Sequence, residues 1–287
     1  MSDISRLGVV GCGLMGSGIA EVAALRGLDV TVAESSAEFA AAGRDRVVAS
    51  LDRGLRRGKL TGAERDQALA RVTFTHDLGE LADRQFVIEA VAENREVKLD
   101  IFRQLDKVIA DPNAVLATNT SSIPVVDLAV ATGRSSHVVG LHFFNPVPVQ
   151  KLVEVIPALT TGAGPLARAR AFVTELLGKE VIQAPDRSGF VVNALLVPYL
   201  LAAIRMVDSG AARPEDVDRG MELGCAHPMG PLRLLDLIGL DTAQAVAESM
   251  YEEFKEPLYA APPLLRRMVA AGHLGRKSGH GFYPYDS

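Results

Sequence analysis

The feature that most constrains this chain is a run of three glycines, Gly11-Cys12-Gly13-Leu14-Met15-Gly16, set between a short apolar strand and an apolar helix. In such a turn Gly11 permits the tight bend, Gly13 lets backbone approach a pyrophosphate, and Gly16 lets helix and strand pack closely. Amides at the helix start then face the anion. A glycine-rich loop by itself also serves as a plain turn, so context decides. Glu34 stands about 20 residues further on, at the end of the next predicted strand, where a carboxylate can accept bonds from the adenine ribose hydroxyls. The other reading of Glu34, a strand cap beside Ser35 and Ser36, leaves the glycines unexplained. A charge there would repel a ribose 2′-phosphate by about 4 kcal/mol at roughly 4 Å and an effective dielectric of about 20. No Arg or Lys follows within residues 35–39, so NAD is expected in preference to NADP.

Short β-branched runs alternate with helical patterns as far as Gln183, the signature of βαβ units and a mostly parallel sheet. Strands are expected at residues 7–10, 29–33, 86–89, 115–118, 138–142, 152–156 and 180–182. After Asp186-Arg187-Ser188-Gly189 apolar residues recur at three-to-four spacing, which predicts helices alone. Pro214, Pro231 and Pro263 sit at or near helix starts, and Asp241-Thr242 reads as a further cap. The expected fold class is α/β Rossmann-type, a doubly wound and mostly parallel sheet, followed by an all-α C-terminal domain. Residues 1–185 form the NAD-binding domain and residues 186–287 a helical substrate-binding and dimerisation domain. A chain of 287 residues, 48% hydrophobic, can fill two such cores.

Composition removes several classes of function. The formal net charge of −5 repels polyanions and favours neither nucleic acid nor a membrane surface, so any anionic ligand must be held locally. Cys12 and Cys225 lie far apart without ligand spacing around them, which predicts neither a disulfide nor a metal site. The amino terminus lacks the charged and then apolar profile of a signal peptide. The greasy stretch 190–204 is interrupted by Asn193 and Pro198 and is shorter than the roughly 20 residues of a membrane span. It reads as a buried helix in a cytoplasmic protein.

His142 closes the predicted strand 138–142, where ligands of open α/β sheets bind. Twelve residues later Glu154 falls in the apolar run Leu152-Val153-Glu154-Val155-Ile156, where an unpaired carboxylate is costly to bury. Oxidising an alcohol with NAD requires a proton acceptor, and histidine, with an unperturbed pKa of about 6.5, cycles near neutral pH. A neighbouring carboxylate orients the ring. From spacing alone the alternative stands that Glu154 faces solvent from an edge strand.

Taken together the motifs resemble those of the 3-hydroxyacyl-CoA dehydrogenase family, and most nearly its short, single-function 3-hydroxybutyryl-CoA members, over nearly the whole chain. They are the glycine run, Glu89-Ala90-Val91-Ala92-Glu93-Asn94, Thr118-Asn119-Thr120-Ser121-Ser122, His142-Phe143-Phe144-Asn145-Pro146, Gly189-Phe190-Val191-Val192-Asn193, His227-Pro228-Met229-Gly230-Pro231 and Gly275-Arg276-Lys277-Ser278-Gly279-His280-Gly281-Phe282. The resemblance implies hydride transfer between NAD(H) and a 3-hydroxyacyl-CoA/3-ketoacyl-CoA pair in fatty acid metabolism, with His142 as base and Glu154 orienting it. It implies that Ser121 and Asn193 hold the substrate, although each also reads as a helix cap. It places Gly11, Gly13, Leu14, Met15, Gly16, Glu34, Glu93, Lys98, Ser121 and Asn145 at the cofactor. There Lys98 bonds ribose hydroxyls, or is a solvated partner of Asn94 on a helix surface.

For the acyl carrier the same resemblance implies contacts from Ser50 and Arg57. Arg53, Arg56, Arg57 and Lys59 form a basic cluster in an acidic chain that can hold a CoA phosphate locally, or is a solvated face. A homodimer is also implied, and the apolar run 232–240 reads as its exposed surface. Ser188 and Ala194 depart from the proline and arginine of many relatives. Two rival functions remain: an NAD-dependent dehydrogenase of a free hydroxy acid or sugar acid on the same fold, and a non-catalytic NAD-binding protein. The basic cluster speaks against the first, and the joint presence of Ser121, His142, Glu154 and Asn193 against the second.

Overall fold

The computed structural model describes residues 4–285 and divides the chain into two units, Met1–Arg187 and Ser188–Ser287. In the first, strands alternate with helices in the order β1 (Arg6–Val10), α1 (Leu14–Leu25), β2 (Asp29–Ala33), α2 (Ala37–Arg56), α3 (Gly62–Ala70), β3 (Val72–Thr75), β4 (Phe86–Glu89) and α4 (Arg95–Val108). There follow β5 (Val115–Thr118), α5 (Val125–Val130), β6 (Val138–Phe143), β7 (Leu152–Pro157), α6 (Ala163–Ala171) and β8 (Glu180–Gln183). Among the described residues the strands form one sheet in the order β3-β2-β1-β4-β5-β6-β7-β8. The pairs run parallel except β6 with β7.

The reversal of strand order between β1 and β4 puts a crevice at the carboxyl ends of the central strands, where ligands of such sheets bind. Central strands covered on both faces carry continuous apolar runs. Phe86, Val87, Ile88, Val115, Leu116, Val139 and Leu141 are all buried, and Phe86 stacks on Phe172 at 4.3 Å between ring centroids. Each expected strand is present within two residues of its expected ends. The strand that the pattern missed is β3, a half-exposed edge strand of four residues, Val72-Thr73-Phe74-Thr75, whose mixed polarity resembles a loop.

The second unit holds α7 (Val192–Asp208), α8 (Pro214–Gly224), α9 (Pro231–Ile238), α10 (Leu240–Phe254) and α11 (Pro263–Ala270). Leu200, Leu201, Ile204, Leu235, Met250 and Leu265 form its core. Two expectations need correction here. Asp241-Thr242 does not cap α10; Gly239, at φ 102°, precedes it, and the Asp241 carboxylate faces the Lys277 ammonium. The run 232–240 is not an exposed apolar surface, because Leu232, Leu235 and Leu240 point into the core and leave Leu237 outside.

Two buried carboxylates close this unit. Asp236 accepts the amides of Phe282 and Tyr283 and the Tyr285 hydroxyl, while Asp218 accepts the amides of Leu232 and Arg233 and the Tyr283 hydroxyl. The carboxyl-terminal strap is thus tied to α8 and α9 by acceptors inside the core. No helix among the described residues is long and apolar enough to cross a membrane.

One buried acid of the first unit is only half satisfied. Glu21 on α1 is 4% exposed, and its Oε2 has no hydrogen-bond partner. Burial pushes its carboxyl above the ordinary range, against the opposing pull of the Ser50 hydroxyl and the Arg53 charge on α2. A raised folded-state pKa means the native protein holds this proton more tightly than the unfolded chain, so the group destabilises the fold as pH climbs through that window. Replacing it as Glu21→Gln is therefore expected to raise the denaturation midpoint at about pH 7 more than at about pH 4. Equal shifts at the two pH values would contradict the assignment.

Candidate active site

The glycine turn joins β1 to α1. Gly11 takes φ 89°, its amide donates to Ala33 O at 2.8 Å, and a side chain on it would collide with the backbone of Ala90. A side chain on Gly16 would run into the Gly11 carbonyl. Around Gly13 there is nothing within 4 Å of where a Cβ would stand, and α1 starts there without a side-chain cap. The three glycines therefore serve a bend, an open approach and a close packing contact. Amides and space remain for a pyrophosphate.

Leu14 is exposed and Met15 half-buried beside this turn. Glu34, directly after β2, accepts the amide of Cys12, whose carbonyl in turn accepts Arg46 Nη1 at 3.1 Å. The Cys12 thiol is buried, and burial together with the Glu34 charge pushes it up to about 12, so it stays protonated.

His142 and Glu154 meet because β6 and β7 run antiparallel in a register that sets them directly opposite each other. Nδ1 of His142 lies 2.7 Å from Glu154 Oε2, with Glu154 fully buried and His142 7% exposed. The alternative of a solvent-facing Glu154 is thereby removed. The His142 ring also packs edge-on against Phe144, at 4.6 Å between centroids.

Next to this pair, β4 and β5 end in a buried polar cluster. Glu89, the last residue of β4, accepts Lys98 Nζ at 2.7 and 2.9 Å, Thr118 Oγ1 at 2.7 Å and the Val91 amide at 2.7 Å. Lys98 also faces Glu93 Oε2 at 3.2 Å. Glu93 Oε1 accepts Thr120 Oγ1 at 2.6 Å, the amides of Ser121 and Ser122 at 2.9 and 3.1 Å, and Ser122 Oγ at 3.0 Å. Burial alone would raise the Glu93 pKa, but the Lys98 charge and these donors outweigh it and hold the carboxyl below its ordinary range.

The reading of Lys98 as a solvated partner of Asn94 on a helix surface is corrected by this geometry. The side chain is fully buried on α4 and faces two carboxylates, while Asn94 caps that helix by accepting the Val97 amide. Ser121 is not the cap of α5 either. Pro124 precedes that helix, and Asp186 accepts the amides of Val125 and Val126 at 2.7 and 2.8 Å. Asn119 bridges neighbouring strand ends, its Oδ1 accepting the Phe143 amide at 2.9 Å, which sets the Ser121 turn beside the end of β6.

Sequence reasoning missed Glu89 as a site residue, although its signal was the one that revealed Glu154: an acid inside an apolar strand, Phe86-Val87-Ile88-Glu89. Asn145 is exposed just past β6, in a loop held from below by Lys179, whose Nζ donates to the carbonyls of Val147 and Gln150 at 2.7 and 2.6 Å.

Ser50 and Arg57 lie near the carboxyl end of α2, which packs on α1, α3 and β3. Ser50 is engaged by Glu21, whereas Arg53, Arg56, Arg57 and Lys59 are exposed. Asn193 occupies the first turn of α7 in the second unit, half-buried. Ser188 is buried, its amide donating to Glu253 Oε2 at 2.8 Å and its hydroxyl lying 3.1 Å from that of Ser249. Among the described residues no group of three or more His, Cys, Asp or Glu could hold a metal ion.

A glycine turn open to a pyrophosphate, an acid after the second strand and a carboxylate-backed imidazole at the carboxyl edge define a dinucleotide-dependent oxidoreductase. The chain belongs to the 3-hydroxyacyl-CoA dehydrogenase family: the model of the family's NAD binding domain matches residues 6–187, and that of its C-terminal domain residues 189–285. The 3-hydroxybutyryl-CoA dehydrogenase of Mycobacterium tuberculosis is 59% identical over 286 residues, covering 99% of this chain and 100% of that protein. The mitochondrial hydroxyacyl-coenzyme A dehydrogenase of Homo sapiens is 38% identical, covering 98% and 91%. The crystal structure of (S)-3-hydroxybutyryl-CoA dehydrogenase PaaH1 from Ralstonia eutropha matches with a TM-score of 0.93 at 44% identity, over 99% of this chain and 100% of that one.

The surroundings of the glycines separate binding from folding. Gly13→Ala is expected to leave the melting temperature unchanged and weaken NADH binding about tenfold or more, because its methyl would enter space that the pyrophosphate needs. Gly16→Ala, which collides with backbone, is expected to lower the melting temperature itself. Fluorescence titration and thermal melts of both variants check the contrast.

Proposed function

We propose that this chain interconverts a 3-hydroxyacyl-CoA and the matching 3-ketoacyl-CoA with NAD(H), acting on short acyl chains such as 3-hydroxybutyryl-CoA and acetoacetyl-CoA. The observation that carries the reading is the buried His142 to Glu154 contact of 2.7 Å. Glu154 engages Nδ1, which turns Nε2 toward the role of proton acceptor and favours the imidazolium that forms when the hydroxyl proton is taken. Bound NAD supplies the hydride acceptor. In the reducing direction His142 returns the proton to the alkoxide at C3. Ser121, held in its turn by Glu93, donates to the substrate oxygen, and Asn193 serves the thioester end. The 59% identity to a 3-hydroxybutyryl-CoA dehydrogenase over the full length of both chains supports the short-chain assignment.

Glu34 takes the adenine ribose hydroxyls, with Leu14, Met15 and Asn145 lining the cofactor. Ser50 and Arg57 meet the CoA moiety, aided by the exposed Arg53, Arg56 and Lys59. The protein acts as a cytoplasmic homodimer, with no nucleic-acid or membrane partner.

The test is spectrophotometric: NADH oxidation against acetoacetyl-CoA and a longer 3-ketoacyl-CoA. Acetoacetyl-CoA should show the higher kcat/KM, and no reaction with either thioester would refute the function. His142→Gln is expected to cost about three orders of magnitude or more in kcat while NADH binding stays unchanged. The double change Arg56→Ala with Arg57→Ala is expected to raise KM for the thioester about fivefold or more with little loss of kcat. An unaltered KM would remove these arginines from the CoA site.

A further inference from the structure

The loop between β6 and β7 carries Asn145 just past His142, and its shape is held from two sides. Within it the amides of Val149 and Gln150 both donate to Pro146 O at 2.9 Å. On one side the buried Val147 lies against α1, where a Cβ on Gly18 would stand 2.9 Å from Val147 Cβ. On the other side Lys179, the residue before β8, donates from Nζ to Val147 O at 2.7 Å and to Gln150 O at 2.6 Å. Its own backbone is fixed, because its amide donates to Val173 O at 3.0 Å.

This lysine is placed at a cost. It is buried, burial and the Arg26 charge both push its ammonium below the ordinary pKa, and among the described residues no carboxylate pairs with it. A buried charge without an opposite partner is expensive, whereas an apolar side chain of like length would fill the same space at no such cost. What the ammonium adds over such a side chain is a pair of directed bonds to the loop.

We propose that Lys179 is a positioning residue, which through the carbonyls of Val147 and Gln150 fixes the loop so that Asn145 meets the nicotinamide end of the cofactor. The adjacency to His142 selects that end, since base and nicotinamide must both reach the carbinol that reacts. The inference rests on the reading of Asn145 as a cofactor ligand.

The test compares NADH with ADP-ribose, which shares every part of the cofactor except the nicotinamide. Both Kd values are read by calorimetry without thioester. Lys179→Met, which keeps the length and removes the donors, is expected to weaken NADH about fivefold and to leave ADP-ribose within about twofold. Asn145→Ala should show the same selective loss. In that background Lys179→Met should cost NADH less than about twofold more, since the side chain it places is gone. A further variant, Val147→Ala, leaves every charge in place and loosens the loop on α1. It should weaken NADH about threefold, again with ADP-ribose unaffected.

Equal weakening of NADH and ADP-ribose by Lys179→Met would make the lysine a support of the fold at large and overturn the proposal. So would an unaltered NADH Kd in Lys179→Met or in Val147→Ala, or additive losses in the Asn145→Ala background. If Asn145→Ala itself binds NADH as the wild type does, the reading of Asn145 fails and the proposal falls with it. If Asn145→Ala weakens NADH and Lys179→Met does not, that reading stands and the proposal alone is lost.

Discussion

A carboxylate buried in a sheet is costly unless it is paired, and the Glu154 to His142 contact meets that demand across one strand pair. The requirement reaches far into the fold. It needs β7 to run against β6 in one register, because a slip of one residue would turn Glu154 to the opposite face. It also needs the chain to leave the parallel pattern of the preceding strands at this point. The exposed loop that carries Asn145 makes this reversal, and Lys179 anchors it through two carbonyls.

The same economy of buried charge organises the neighbouring strand ends. Glu89, Lys98 and Glu93 lie side by side with alternating sign, and their remaining lone pairs are met by Thr118, Thr120, Ser122 and backbone amides. A half-satisfied version of such a cluster would be a liability, whereas a satisfied one rigidifies its surroundings. Its rigidity is delivered to residues 120–122, next to the end of β6. In the second unit Asp218 and Asp236 are satisfied in the same way and tie down the carboxyl-terminal strap.

Much of this was legible in the sequence because it depends on local pattern. The glycine spacing, the apolar strands and the isolated acid of Leu152–Pro157 announced the sheet, the turn and the His142 to Glu154 pair. Legibility ended where tertiary context overrode local preference. Val72-Thr73-Phe74-Thr75 has the polarity of a loop because its strand sits at the sheet edge. Lys98 reads as a surface residue, and burial becomes affordable only once Glu89 and Glu93 converge on it from other elements. The run 232–240 looks like an exposed patch until a helix of 3.6-residue period divides it into an inner face and the exposed Leu237. Glu89 went unnoticed although the reasoning that found Glu154 applied to it without change.

The placement of the imidazole and its acid near the rim of the sheet has a consequence for heat tolerance. Outside β7, among the described residues, there is a single further strand, β8, four residues long and partly open to water. Fraying that begins at this margin would separate acid from imidazole while the inner strands remained paired. Inactivation on warming would then run ahead of bulk melting, and the useful lifetime of the catalyst would be set by its outermost ladder of backbone bonds.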